Sequence, residues 1–97
     1  MKNITHESVS AFYGRKNFKK ANMQVINSEN GSTRMYLFDN CIAILDNQNK
    51  LYITNAGWQS NTTKERLNAL KGVSIYQKNW QWYLNDRLWD GGLTLIK

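Results

Sequence analysis

Between Asn79 and Gly91 the chain reads Asn79-Trp80-Gln81-Trp82-Tyr83-Leu84-Asn85-Asp86-Arg87-Leu88-Trp89-Asp90-Gly91, and three of its four tryptophans fall inside that run. Large aromatic residues at alternate positions, broken by Asn-Asp and Asp-Gly, specify a short twisted hairpin. Alternation puts Trp80, Trp82 and Leu84 on one side and Gln81 and Tyr83 on the other, with Trp89 returning towards Trp82 across Asn85-Asp86. Rings of that size fill the thin core of a small domain effectively, so Trp80 and Trp82 are expected inside. Trp58 and Trp89, beside a loop and a turn, are the two whose exposure would mark a binding surface.

The pattern upstream agrees with a sheet. Thr5 to Tyr13 reads as a short helix: Thr5 can cap it, Glu7 suits its first turn, Val9, Phe12 and Tyr13 share a face, and Gly14 fits a left-handed stop. A basic connection, residues 15–20, follows. Strands are expected at Met23–Ile26, Thr33–Phe38, Ile42–Leu45 and Leu51–Thr54, reversed by Asn30-Gly31, Asp39-Asn40 and the polar loop Asp46–Asn49. Thr62-Thr63-Lys64-Glu65 has the form of a capping box for a helix through Leu67 and Leu70 to Gly72. Val73–Tyr76 then pairs with Trp80–Leu84 through Lys78-Asn79, and Leu93–Ile96 supplies a last strand. The class is α+β: an antiparallel meander with an N-terminal helix and a short helix at about 62–71. With 97 residues there is room for one domain: a basic helix and connection (1–21), a meander (22–54), a short helix (61–71) and aromatic hairpins (73–96).

Composition removes several functions. One histidine (His6) and one cysteine (Cys41), far apart in sequence, make neither a metal cluster nor a signature nucleophile–base pair. The seven carboxylates mostly adjoin turns and caps, where Asp and Glu have structural reasons to be. No glycine-rich phosphate loop occurs, since Gly91-Gly92 is a turn and Gly57 and Gly72 are isolated. The chain is therefore expected to be no enzyme and to hold no metal or cofactor. The apolar runs are too short to span a bilayer, and the opening residues lack the apolar stretch of a secretory signal, so a cytoplasmic location is expected. A lone cysteine, which cannot close an internal disulfide, agrees with it.

Charge supplies the remaining signal. Residues 1–20 carry +4 of the net +6, from Lys2, Arg15, Lys16, Lys19 and Lys20 against Glu7. Tyr13 and Phe18 interleave with those cations, as rings and bases do on surfaces that hold single-stranded nucleic acid. Lysines that only keep a small protein soluble give the same balance, and Phe12 and Phe18 serve equally well as anchors of the helix. The first N–H groups of the second helix, with Lys64 and Arg66 near, could hold a phosphate, though a plain helix cap has the same composition.

Gly57-Trp58-Gln59-Ser60-Asn61-Thr62-Thr63-Lys64-Glu65-Arg66-Leu67-Asn68, followed by Trp82-Tyr83-Leu84-Asn85 and Trp89-Asp90-Gly91, resembles a family of small proteins encoded by tailed bacteriophages. The resemblance spans most of the chain and brings no settled activity or site. It implies an early or accessory phage protein made in a bacterial cytoplasm, of a kind that binds host machinery, defence complexes or nucleic acid. The family pattern has glycine after Trp-Tyr-Leu-Asn. Asp86 stands there instead, which keeps the turn and weakens its preference for positive φ.

Two readings follow. In the first, a basic surface of Arg15, Lys16, Lys19 and Lys20, extended by Arg34, Lys64 and Arg66, binds DNA, RNA or a nucleic-acid-bound host complex. In the second, the chain inhibits a host or defence protein through whichever of Trp58, Tyr76, Tyr83 and Trp89 is exposed. Homodimerisation through an uncovered sheet edge is compatible with both.

Overall fold

The computed structural model describes residues 3–96; Lys2, counted in the basic N-terminal fifth, lies outside the described residues. The elements run α1 (Asn3–Tyr13), β1 (Phe18–Lys20), β2 (Met23–Asn27), β3 (Thr33–Leu37), β4 (Asn40–Leu45), β5 (Leu51–Ile53), α2 (Asn61–Asn68), β6 (Ile75–Lys78), β7 (Gln81–Leu84), β8 (Arg87–Leu88) and β9 (Thr94–Ile96). Two antiparallel sheets result, a main one in the order β1-β2-β3-β4-β5-β9 and a small one in the order β6-β7-β8. The α+β class is as the alternation requires. Among the described residues no helix is long and apolar enough to cross a membrane.

The period-two pattern gives the main sheet two unlike faces. Its inner face carries Met23, Val25, Met35, Leu37, Ile42, Leu45, Leu51 and Ile53, all buried. Phe12 of α1, Leu67 of α2, and Trp82 and Leu84 of β7 complete the same core. On the outer face cross-strand pairing makes two rows: Lys19, Gln24, Tyr36 and Cys41 in one, Ile26, Arg34, Ile44, Tyr52 and Leu95 in the other. None of these outer residues belongs to the core.

Several expected boundaries move. β1 forms where a connection was expected, by pairing Phe18–Lys20 with Met23–Val25. Thr5 is not a cap. It is buried within α1, which begins at Asn3, and Arg15 rather than Gly14 takes the left-handed conformation after the helix (φ 55). Asn30-Gly31 sits inside a longer connection from Ser28 to Ser32, held by the Ser28 hydroxyl and the Asn30 side chain. Helix α2 is capped by Ser60, whose hydroxyl accepts from Thr63 N–H, and the capping box from Thr62 does not form. The reason is that Glu65 has a stronger partner than its own helix end: it accepts from the guanidinium of Arg66 and from the Thr5 hydroxyl (2.8 Å).

Two arginines act as internal ties. Arg66 is only 3% exposed, and its Nη1 also donates to Thr5 Oγ1 (2.8 Å) while Nη2 reaches Asn22 Oδ1 (3.3 Å), so it joins α2, α1 and the β1–β2 turn. Arg15 donates to the carbonyls of Gly31 (2.7 Å), Asp46 (2.6 Å) and Leu45 (3.4 Å), and to Thr33 Oγ1 and Asn49 Oδ1. It thereby gathers the loop ends at one edge of the inner face. Removing one member of such a pair leaves the other uncompensated whatever apolar side chain takes its place, whereas replacing both members together need not. Arg66→Ala should therefore lower the unfolding free energy by about 3 kcal/mol and the Glu65→Leu, Arg66→Met double variant by less than half of that, read from urea midpoints at constant slope. A loss below about 1 kcal/mol for the alanine variant would show that this pair does not dock the helices.

Candidate functional site

The hairpin tips are where the fold departs from what stability alone would select. Pairing of Leu37 with Asn40 leaves Phe38-Asp39 as a two-residue loop, and pairing of Lys78 with Gln81 leaves Asn79-Trp80. Both residues of each loop are left-handed, at φ 48 and 65 in the first and 54 and 67 in the second. Asn85-Asp86, between β7 and β8, has the same form, with φ 50 and 69, despite lacking glycine. Such turns match the twist of the strands and favour Asn-Gly, because a side chain with a Cβ costs roughly 1–2 kcal/mol in that conformation. Phe38 and Trp80 accept that strain and leave their rings in water, 65% and 91% exposed. The sequence pattern placed these turns one residue away, at Asp39-Asn40 and Lys78-Asn79, and so put Trp80 in the core.

Phe38 borders an apolar hollow of about 320 Å³. Its floor is Leu37 and Ile42, both buried, and Trp58, 61% exposed, borders it together with Phe38. Asn55, Ser60 and Thr63 supply polar groups at its margin, beside the start of α2. A second, shallower hollow of about 240 Å³ has Trp80, Leu88 and Asp90 along it. Trp58 and Ser60 line the first hollow and Gln59 the second, so this short loop divides them.

The loop is positioned by a close backbone approach. Asn55 N–H (2.9 Å) and the Thr54 hydroxyl (2.7 Å) both donate to the Gly91 carbonyl. The Asn55 side chain lies over Gly91, whose φ is +88, so closely that a Cβ there would stand 2.1 Å from Nδ2. Asn55 Oδ1 in turn accepts from Gly57 N–H (2.8 Å), and Trp58 N–H donates to the Asn55 carbonyl (2.8 Å). The backbone at Trp58 is thus held by Asn55, while the ring stays largely in water.

The residues singled out by sequence scatter. Buried Arg66 is spent on the internal bonds above, and half-buried Arg15 is tied to five acceptors, so neither is a free surface cation. Lys20 pairs with Glu7 at 3.1 Å, and Lys64 lies over the Trp82 ring, 5.8 Å from its centroid. The start of α2 therefore has neither of its expected cations free to meet a phosphate. Lys16, Lys19 and Arg34 remain exposed, the last two on the outer face of the main sheet. Of the aromatic set, Trp58 and Tyr76 are exposed and Tyr83 is half-buried. Trp89 is 7% exposed, sits 6.4 Å from Trp82, and donates from its indole N–H to Thr94 Oγ1 (2.9 Å), so it belongs to the core rather than to a surface. Tyr76 and Tyr83 stack flat on each other at 5.2 Å across β6 and β7. Burial, the Asp86 charge and the bond to Asp86 hold the Tyr76 hydroxyl above its ordinary range.

His6 and Cys41 stand on opposite sides of the main sheet, His6 exposed on α1 and Cys41 on the outer face of β4. Burial pushes the Cys41 thiol up, and the nearby Arg34 offsets only part of that. A thiol so placed stays protonated near neutrality, the reverse of what a nucleophile needs.

Residues 1–93 match a protein-family model described as Kyanoviridae Gp96 protein. The chain belongs to that family. It is a phage protein family, which agrees with the resemblance carried by the tryptophan motifs and assigns no role to any residue. Searches of curated proteins and of solved structures return no match.

Gly91 and Gly57 give a controlled comparison, since both are left-handed but a Cβ on Gly57 would meet nothing within 4 Å. Gly57→Ala should cost about 1 kcal/mol from backbone strain alone. Gly91→Ala should cost at least about 2 kcal/mol and shift the Trp58 indole N–H resonance, because it also displaces Asn55. Equal costs, with the Trp58 resonance unmoved, would show that the junction does not set the loop.

Proposed function

We propose that this chain is a non-enzymatic phage accessory protein that acts inside the infected cell by holding a host protein against its aromatic end, formed by Phe38, Trp58 and Trp80. The observation that carries this reading is the pair of hairpin tips. An aromatic ring in a left-handed turn position and in water is unfavourable twice over, and asparagine or glycine would relieve both costs. Strain of this kind concentrates where a surface is used. Exposed Trp is also the side chain most enriched among residues that dominate protein interfaces.

The partner at this end is protein rather than nucleic acid. Asp39 follows Phe38 in its turn, and Asp90 lines the hollow beside Trp80, so carboxylates accompany both rings and would repel phosphates. The first hollow, apolar with a few polar groups at its margin, suits an inserted apolar side chain.

Trp80→Gly creates the preferred Asn-Gly turn and should raise stability by about 1 kcal/mol while weakening capture of the partner. Trp58→Ala should weaken capture with little change in stability. The measurement is affinity capture from host lysate with and without nuclease, alongside thermal unfolding of each variant. The expected result is a protein retained after nuclease treatment by the native chain and lost from the Trp58→Ala, Trp80→Gly double variant. If the double variant retains the same protein, the aromatic end is not the contact.

A further inference from the structure

We infer that the outer face of the main sheet is a second site, one that takes single-stranded nucleic acid through Lys19, Arg34, Tyr36 and Tyr52. This inference is independent of the aromatic end, since it rests on different residues on the opposite face of the sheet from the core.

The face is open and its charge is one-sided. Its outward residues include two cations, Lys19 and Arg34, both exposed, and no carboxylate in either row. Arg34 stands between Ile26 and Ile44 in the register, with Tyr52 beyond Ile44 and Tyr36 two positions along its own strand. Tyr36 and Tyr52 therefore both neighbour Arg34 on this face, the first along its own strand and the second two strands away, about 10 Å across the sheet. Both residues are half-buried and neither belongs to the core. Flat rings with interspersed cations hold single strands by stacking on bases and neutralising phosphates, with little preference for sequence.

A second copy of the chain is a poor occupant. Symmetric pairing through this face would bury Arg34 with no carboxylate in either row to meet it, Asp39 sharing a hollow with Lys19 instead, and an unpaired buried charge is strongly unfavourable. The occupant must bring negative charge of its own. The edges of the sheet offer little alternative, since β1 and β9 have three residues each, and short edges resist further pairing.

The site draws one cation from the basic N-terminal fifth. Lys19 lies in the segment that sequence reading singled out, but alternation along β1 turns it to the same side as Arg34, which is distant in sequence. Lys16 precedes β1 and Lys20 points the other way, towards Glu7.

The test is fluorescence anisotropy of labelled single-stranded DNA and RNA 12-mers of mixed sequence, titrated with the full chain over a range of salt. Binding is expected at low salt and should weaken steeply as salt rises. Arg34→Gln and Lys19→Gln should each weaken it by on the order of tenfold and together lower the salt slope by about two. Tyr36→Leu, which keeps packing but removes the flat ring, should weaken binding at all salt concentrations by a similar factor. Lys16→Gln and the Trp58→Ala, Trp80→Gly double variant should leave it unchanged, which separates this site from the aromatic end. Unfolding midpoints establish that each variant is folded. The inference is overturned if neither oligonucleotide binds, if Lys16 matters and Arg34 does not, or if polyglutamate displaces the oligonucleotide as well as unlabelled DNA does, which would mark the face as one for acidic protein.

Discussion

The aromatic end of this molecule depends on the approach of Asn55 to Gly91. One carbonyl, that of Gly91, accepts both Asn55 N–H and the Thr54 hydroxyl, and so ties the end of β5 to the chain returning from β8. The side chain of Asn55 fills the space where any other residue at position 91 would place a Cβ. From that contact follow the bonds to Gly57 and Trp58, and hence the loop that separates the two hollows. These bonds set the backbone from which the exposed Trp58 ring projects.

Cations are divided by environment in a manner that net charge conceals. Arg15 bonds three main-chain carbonyls and Arg66 three side chains on other elements or its own helix, and the planar fork of arginine is suited to both uses. Lysines stay at the surface, where their flexible stems cost little to leave in water. The basic N-terminal fifth is consequently no continuous patch. Its exposed members turn to different sides of β1, and only Lys19 joins Arg34 on the open sheet face.

Much of the fold was legible because alternation and helical spacing are local signals. Both helices, the meander and the Asn85-Asp86 reversal all follow from them. Turn positions were less so. Asp-Asn and Lys-Asn are better turn formers than Phe-Asp and Asn-Trp, and propensity therefore shifted two hairpins by one residue. Cross-strand registration of the core overrode that preference: Met35 pairs with Ala43 and Thr33 with Leu45, all buried, whereas a turn at Asp39-Asn40 would set Leu45 opposite the outward Arg34. The same one-residue shift carried Trp80 from the expected core to the surface. Trp89 moved the other way because its indole N–H finds Thr94, a residue of a strand whose pairing with β5 nothing local announces. The destinations of Arg15, Glu65 and Arg66 were hidden for a similar reason, since each bonds across at least one other element.

The phage family and the α+β fold set the frame within which the aromatic end is read as a contact for host protein. Its most direct test is site-specific photocrosslinking in host cells that make the protein. A benzophenone amino acid in place of Phe38 should yield a discrete protein adduct that survives nuclease, while the same group in place of Gln48, in the loop at the other end of β4, should yield none. Absence of an adduct at position 38, or an identical adduct from position 48, would contradict the assignment of this end as the binding surface.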